Sequence, residues 1–226
     1  MKFVVVNDDG INGVGYRVLA DILTSYGEVV AIVPSNHCSA KSHGVTLKHE
    51  FSLIKYQNDK YELYTVDGLP ADCSRFAKYL VPDCDIIFSG INDGINLGMD
   101  TLYSGTVAAS KEAALLGYRS VALSCPLNSE EIVDDVRYFI EQLLFNNLYH
   151  DEKVINVNFP QKVLHKEIKT TVLGGYLHDD GVIKLANGKY TYDNKTNFVG
   201  VEGTDVHAFN NGYVSVTPLI LDTTKK

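Results

Sequence analysis

The chain has few basic residues, few prolines and few cysteines, and it contains no long hydrophobic run. Its 226 residues include 20 Lys and Arg against 28 Asp and Glu, a formal net charge of -8. This balance argues against a nucleic-acid-binding surface, which usually carries a clustered basic face. It does not exclude a small phosphorylated ligand, because metal ions and backbone N–H groups also hold phosphate. With six prolines and 45% hydrophobic residues, the composition is that of a folded globular protein.

The first apolar run ends early, and the cysteines follow no recognised spacing. The run Phe3–Val6 is followed by the polar Asn7, so it is too short for a signal-peptide core or a membrane span. The sequence therefore predicts a cytoplasmic protein with no membrane partner. Because no C-x-x-C pair occurs, we expect reduced and buried thiols at Cys38, Cys73, Cys84 and Cys125.

Strand-length apolar runs recur through the first 160 residues. They are rich in Val and Ile and nearly unbroken, a pattern that favours parallel strands covered on both faces by helices. The predicted strands are Phe3–Val6, Val29–Val33, Asp85–Phe88, Ser120–Leu123 and Val154–Val157.

Helical patterns separate these runs. We expect helices at Val18–Tyr26, with Gly27 as a left-handed C-terminal residue, from Pro70 onward, at Ser104–Leu116 and at Ser129–Asn146. The alternation predicts an α/β fold with a doubly wound, mostly parallel sheet. Ligands of such sheets bind beyond the carboxyl ends of the strands, here at the loops that begin at Asn7, Pro34 and Ser89.

The pattern changes after Pro160. Thr, Tyr, Val and Gly dominate there, and turn signals at Asn187-Gly188 and Asn211-Gly212 predict β-hairpins. We therefore expect a single domain over residues 1–226, with an α/β core at 1–160 and a C-terminal β-hairpin extension at 161–226. Because an exposed hairpin can pair with another subunit, we expect a homo-oligomer.

Two adjacent carboxylates, Asp8 and Asp9, follow the first strand where it opens into a turn at Gly10. Neighbouring anions repel each other and raise each other's pKa unless a cation lies between them. A divalent ion with oxygen ligands resolves this conflict. The alternative is a solvated turn with an aspartate at a helix start.

The loop after the second strand, residues 34–44, is crowded with hydroxyl and imidazole groups. The hydroxyl of Ser39 is a neutral oxygen donor suited to Mg²⁺ or Mn²⁺, although a plain polar loop explains this composition better when it is taken alone. His37 and His43 lack a standard zinc-ligand spacing, so we interpret both as loop residues that could contact substrate.

Residues 88–98 form the most informative loop, with glycines at 90, 94 and 98 and amides at Asn92 and Asn96. Glycine permits close ligand approach, and an asparagine side chain can ligate a hard metal or donate to phosphate. An irregular connection with Asn and Gly in left-handed turns is the alternative.

Just beyond this loop, a helix begins at Ser104, Gly105 and Thr106. The free N–H groups of a helix start can hold a phosphoryl group, although helix capping alone would also explain Ser104.

Together these segments resemble the SurE survival-protein family of 5'-nucleotidases. The resemblance rests on Asn-Asp-Asp-Gly at 7–10, the serine-rich loop near Ser39, and residues 68–73, 89–98, 103–107, 156–160, 203–205 and 212–218. It implies a Rossmann-like core, a cytoplasmic setting, and homodimers or homotetramers with an exchanged C-terminal segment. It also implies hydrolysis of nucleoside 5'-monophosphates, with 3'-nucleotides and polyphosphate as further substrates.

The resemblance also assigns residues. It implies one divalent ion per subunit, Mg²⁺ or Mn²⁺, held by Asp8, Asp9, Ser39 and Asn92, and a phosphate cradle made of Asn96, Ser104, Gly105 and Thr106. The chain departs from the family at Ala40 and Ala108, where glycine is usual, and at Gly44, where serine is common. These departures remove no ligand but can alter loop conformation and substrate preference.

The hypothesis that follows is metal-assisted phosphomonoester hydrolysis in which Asp8 or Asp9 serves as general base. Asn96 and the helix start at Ser104 would stabilise charge on the phosphoryl oxygens. One alternative is a non-catalytic phosphoacceptor module, which would need a phosphorylatable Asp after its third strand and a Lys after its fifth. Neither can be placed here. The other alternative is a metal-dependent nucleotide-binding module without catalysis.

Overall fold

A mixed β-sheet with helices on both faces forms the body of the protein. The computed structural model describes residues 1–127, 131–175, 178–179, 181–193, 195–196 and 200–224. Its strands are β1 (Lys2–Val6), β2 (Glu28–Pro34), β3 (Leu53–Tyr56), β4 (Glu62–Val66), β5 (Ile86–Asp93), β6 (Arg119–Cys125), β7 (Val154–Asn158), β8 (Ile168–Thr170), β9 (His178–Asp179), β10 (Val182–Lys184), β11 (Tyr190–Tyr192), β12 (Lys195–Thr196) and β13 (Val214–Pro218).

Nine of these strands form one sheet in the order β3-β4-β2-β1-β5-β6-β7-β13-β8. Within this sheet β4, β2, β1, β5, β6 and β7 run parallel to one another. The helices of the described chain are α1 (Gly15–Leu23), α2 (Pro70–Leu80), α3 (Gly105–Leu115), α4 (Glu131–Phe145) and α5 (Asp205–Asn210), with a 3₁₀ helix at Gly98–Leu102. The predicted α/β fold with a mostly parallel sheet is confirmed.

The side chains of β1 show why its hydrophobic run is unbroken. Phe3 and Val5 belong to the core cluster that includes α1 and α4 residues. Val4 and Val6 belong to a second cluster, formed with residues of α2 and α3 on the opposite face of the sheet. Because successive strand residues point to opposite faces, a strand covered on both sides needs apolar residues at every position.

The end of α1 differs from the sequence prediction. The helix ends at Leu23, and Thr24 follows in a right-handed conformation (φ -59°, ψ -21°), so the prediction of a left-handed C-terminal glycine at Gly27 was wrong. Gly27 is needed for a different reason. A Cβ atom there would lie 2.2 Å from the carbonyl oxygen of Met1, close to where Glu28 N–H donates to that same oxygen.

The chain after Pro160 only partly follows the hairpin prediction. The strands β10 and β11 form a hairpin whose turn contains Gly188 at φ 79°, as predicted. The hairpin expected at Asn211-Gly212 is wrong, because Gly212 (φ 76°) follows the end of α5 instead. The strand after it, β13, joins the main sheet between β7 and β8.

The predicted start of α4 at Ser129 lies outside the described residues, which resume at Glu131. The four cysteines are free and buried, as expected. No helix in the described part of the chain is long and apolar enough to cross a membrane.

Candidate active site at the carboxyl edge of the sheet

The strand order places three of the predicted loops next to one another. Since β1 lies between β2 and β5, their carboxyl ends meet at the same edge. A cavity of about 750 Å³ opens there, and its wall includes Asp8, Ser39, Asn92, Asn96 and Ser104. The structure therefore brings together predicted site residues from four separate segments.

Asp8 lies at the floor of this site. Its side chain is 3% exposed, and its Oδ1 accepts a hydrogen bond from the hydroxyl of Thr106. Its carbonyl oxygen accepts from Cys38 N–H at 2.7 Å. Burial raises the pKa of Asp8, and the hydrogen bond from the Thr106 hydroxyl opposes that shift. A buried carboxylate of this kind requires a positive partner if it is to be ionised.

Gly105 provides the space that Asp8 occupies. A Cβ atom on Gly105 would lie 2.9 Å from Asp8 Cβ and 3.0 Å from Asp8 Oδ2. Any larger residue would press on the carboxylate, so the absence of a side chain leaves Oδ2 accessible from the helix start.

Asp9 faces a different space from Asp8. Its side chain is 16% exposed and its Oδ1 lies 3.8 Å from His37 Nε2. Asp9 lines an adjoining cavity of about 460 Å³ together with His37 and Asp93, and Asp93 also borders the larger cavity. Burial, and then the neighbouring charge of Asp8, raise the pKa of Asp9. The two aspartates thus stand on either side of the boundary between the two cavities.

Ser39 is exposed at the cavity rim. Its Oγ lies 3.3 Å from His37 Nε2, and its N–H donates to His37 Nδ1 at 3.2 Å. The turn after Asp9 packs closely against the start of this loop, because a Cβ on Gly10 would lie 2.7 Å from the backbone of Asn36. The two loops therefore pack against each other, and His37 contacts groups of both.

A bulge in β5 presents Asn92 to the cavity. The register of β5 against β6 shifts between Ser89 and Asn92. Gly90 has φ 128°, and a Cβ there would lie 2.3 Å from the carbonyl oxygen of Leu123. Only glycine fits so close to the neighbouring strand. The glycine pattern that marked this loop in the sequence thus has a backbone cause.

Asn96 sits in a polar network that sequence reasoning did not find. Its side chain donates to Ser124 Oγ at 2.8 Å, and its N–H donates to Asn158 Oδ1 at 2.8 Å. Its carbonyl oxygen accepts from Asn156 and Asn158 at 2.8 and 3.1 Å. The sequence signal for this network is the pair Asn156 and Asn158 in the otherwise apolar strand β7. Polar side chains in a buried strand need hydrogen-bond partners.

The start of α3 has the features of an anion site. Ser104 is the N-cap, and its Oγ accepts from Val107 N–H at 3.1 Å. Ser104 also lines the cavity, next to the first N–H groups of the helix. The predicted phosphate ligand Thr106 is fully buried, and its hydroxyl is directed at Asp8. Its backbone N–H also hydrogen-bonds the Asp8 carboxylate, so Thr106 serves Asp8 through both its hydroxyl and its main chain.

Three further residues line the cavity that the sequence analysis did not predict as site residues. Tyr103 and Asp100 line it from the 3₁₀ helix region, and Tyr192 lines it from the hairpin strand β11. The 3₁₀ helix is held by the buried Asp205, which accepts from Gly98 N–H at 2.8 Å and from Gly174 N–H at 2.7 Å. Burial raises the pKa of Asp205, and these backbone hydrogen bonds oppose the shift.

The donor atoms at this edge fit a hard divalent cation. Asp8 and Asp9 offer carboxylate oxygens, Ser39 a hydroxyl and Asn92 an amide oxygen, the oxygen donors that Mg²⁺ and Mn²⁺ prefer. Among the described residues no group of three or more His, Cys, Asp and Glu side chains is gathered at one point. The side chains at this edge therefore have the chemistry to hold a divalent cation.

Comparison with known proteins decides the family. The family model described as survival protein SurE matches residues 3–179. The chain belongs to the SurE family. Its resemblance in sequence extends beyond that range and over nearly the whole chain.

Two SurE relatives and one solved SurE structure illustrate the similarity. The 5'-nucleotidase SurE of Alkaliphilus metalliredigens is 36% identical over 239 residues, covering 99% of this chain and 94% of that protein. The 5'-nucleotidase SurE of Vibrio cholerae serotype O1 is 37% identical, covering 99% and 93%. The crystal structure of SurE protein from Aquifex aeolicus superposes with a TM-score of 0.83 at 34% identity, covering 100% and 95%.

Proposed function

We propose that this SurE protein hydrolyses nucleoside 5'-monophosphates to nucleoside and phosphate, using one bound divalent ion per subunit. The observation that carries the proposal is the convergence of Asp8, Ser39 and Asn92 with Asn96 and Ser104 on one cavity. Oxygen ligands for a metal thus stand beside a helix start that can receive a phosphoryl group. The names of the relatives, 5'-nucleotidase SurE, support the substrate class.

The residues divide into two sets in this proposal. Asp8, Asp9, Ser39 and Asn92 would hold Mg²⁺ or Mn²⁺, and a bound ion of this kind supplies a Lewis acid that polarises a phosphoryl oxygen and lowers the pKa of water. Asn96, Ser104, Gly105 and Thr106 would form the phosphate cradle at the positive end of the α3 dipole, with Thr106 acting by holding Asp8.

In the proposed reaction a water molecule attacks phosphorus, and the bond from phosphorus to the ribose 5' oxygen breaks. Asp9 or Asp8 accepts the proton of the water. Asp9 is the better placed of the two, because its carboxylate is more accessible, whereas Asp8 Oδ1 already accepts from Thr106. The leaving oxygen takes a proton from solvent, and the products are nucleoside and inorganic phosphate.

The decisive experiment measures phosphate release from a substrate panel with Mg²⁺, with Mn²⁺ and with EDTA. The panel contains nucleoside 5'-monophosphates, their 3' isomers, glycerol phosphate and polyphosphate. We expect the 5'-monophosphates to turn over with either ion and EDTA to abolish turnover. Asp8→Ala should remove this activity. Stable phosphorylation of the protein without turnover, or tight nucleotide binding without phosphate release, would instead establish one of the two non-catalytic alternatives.

We also propose that the protein is a homodimer or homotetramer and that residues after Pro160 supply part of the contact. Support comes from the hairpin β10–β11, where Val182, Ile183 and Tyr190 are exposed in the single chain. Light scattering coupled to gel filtration measures the assembly. A monomer at micromolar concentration would refute this part of the proposal without touching the catalytic one.

A further inference from the structure

The loop that carries Ser39 is conformationally strained. It leaves β2 and returns to the sheet at β3, and within it Ala40 (φ 55°) and Ser42 (φ 50°) adopt left-handed backbone conformations. Residues other than glycine rarely adopt this conformation, because their Cβ atom then lies too close to the following carbonyl oxygen. Such conformations persist only where surrounding contacts fix them. The contacts that hold this loop therefore decide where the Ser39 hydroxyl stands.

Backbone hydrogen bonds hold the loop at its two ends near the cavity. Cys38 N–H donates to the Asp8 carbonyl at 2.7 Å, and Ser42 N–H donates to the Tyr103 carbonyl at 2.9 Å. Further along, Thr46 donates through its hydroxyl to Asp72 Oδ2 at 2.7 Å. Between Ser42 and Thr46 the loop reaches helix α3 through a side chain, that of His43.

His43 Nε2 lies 2.8 Å from Glu112 Oε2. The side chain of Glu112 is only 6% exposed, and its other oxygen, Oε1, accepts from Arg75 Nε at 2.7 Å. Glu112 belongs to α3 and Arg75 to α2. The buried carboxylate of Glu112 therefore joins both helices to the loop. Arg75 is the positive partner that a buried carboxylate needs, and Oε2 is left to contact His43.

These contacts suggest a role for His43, and this inference rests on the proposed function of the cavity as a metal and phosphate site. We propose that His43 is a positioning residue: held on Glu112, its ring fixes the Ser39 loop to helix α3. The same helix begins at Gly105 and carries Thr106, which holds Asp8. His43 thus keeps Ser39, on one wall of the cavity, in fixed register with Asp8 and the phosphate-binding end of α3 on the other.

The test compares four proteins: wild type, His43→Ala, His43→Gln and the control His49→Ala. Gln is long enough to donate an amide N–H to Glu112, and His49 is an exposed histidine of the same loop. Two readouts need no turnover. One is the Kd for Mn²⁺, obtained from the EPR signal of free Mn²⁺, and the other is the rate of tryptic cleavage after the exposed Lys41. The kcat and KM for a nucleoside monophosphate are measured in parallel.

We expect His43→Ala to weaken Mn²⁺ binding about tenfold, the scale seen when groups that orient metal ligands are removed. Cleavage after Lys41 should accelerate, and kcat should fall more than KM rises. His43→Gln should restore each value to within about threefold, and His49→Ala should match wild type. Should His43→Ala lose cooperative unfolding, His43→Asn replaces it, since Asn is polar but too short to reach Glu112.

Wild-type Mn²⁺ affinity and wild-type cleavage in His43→Ala would overturn the proposal, as would failure of His43→Gln to restore either. The outcome is separable from that of the catalytic proposal. A wild-type protein that binds Mn²⁺ but releases no phosphate refutes the nucleotidase activity, and the His43 comparison still stands or falls on Mn²⁺ affinity and proteolysis.

Discussion

Thr106 donates a hydrogen bond from its hydroxyl to Asp8 Oδ1 at 2.5 Å, across 98 positions of sequence. Burial raises the pKa of Asp8, and this hydrogen bond lowers it. The bond also fixes the orientation of the carboxylate. In Thr106→Val, which keeps the shape without the donor, kcat/KM for a nucleoside monophosphate should fall about tenfold. Thr106→Ser should retain the rate to within about threefold. Equal activity in the Val and Ser variants would show that the bond is dispensable.

Asp8→Asn should make the metal-free protein more stable while abolishing activity. Burial raises the pKa of Asp8, so above that pKa the ionised carboxylate costs folding free energy that a neutral amide does not. The gain, roughly 1 kcal/mol or 2–4 °C in Tm at pH 7, should shrink as pH falls toward the folded pKa. Mn²⁺ should raise the Tm of wild type and not of the variant, and calorimetry with EDTA or Mn²⁺ measures both effects.

Gly105→Ala should impair the site without unfolding the protein. The added Cβ would lie 2.9 Å from Asp8 Cβ, which forces the carboxylate or the helix start to shift. We expect kcat/KM to fall by at least about tenfold. Gly175→Ala is the matched control, because a Cβ there meets no atom within 4 Å. A Gly105→Ala enzyme with full activity would contradict the close packing of α3 on Asp8.

Tyr192 should contribute to nucleotide recognition. It lines the cavity from the hairpin and is 64% exposed, whereas Tyr190 of the same strand is 66% exposed and does not line it. An aromatic ring at the rim can stack on a nucleobase. Tyr192→Ala should raise the KM for a nucleoside monophosphate about fivefold and leave that for glycerol phosphate unchanged. Tyr190→Ala should change neither KM.

The cysteines should be chemically inert in the folded protein. Burial raises the pKa of Cys84 and of Cys125 to about 12, so both thiols stay protonated at pH 8 and the reactive thiolate is scarce. Peptide mass spectrometry after iodoacetamide treatment should show neither residue modified in native protein. Both should be modified in guanidinium. Rapid modification without denaturant would show that these thiols are exposed.

Much of the site followed from local pattern. Unbroken apolar runs predicted the parallel strands, and the rule that ligands bind at their carboxyl ends predicted that the loops carrying Asp8, Ser39 and Asn92 lie together, whereas the choice of Ser39 and Asn92 as ligands came from the family resemblance. The hairpin signal at Asn211-Gly212 misled, because the same Asn-Gly pair also suits the end of a helix such as α5. Gly27 misled for a similar reason: a glycine marks a backbone constraint without saying whether the constraint is a turn or a close contact.

By itself, the sequence determined the alternation of strands and helices and the residue types at the sheet edge, because periodicity and turn chemistry act over a few neighbouring positions. Tertiary structure alone decided that the Thr106 hydroxyl serves Asp8, that Ser124 and Asn158 hold Asn96, and that Glu112 joins His43 to Arg75. These partners lie tens of residues apart in the chain. Hydrogen bonds between them depend on distances set only when sheet and helices pack, and no local pattern records those distances.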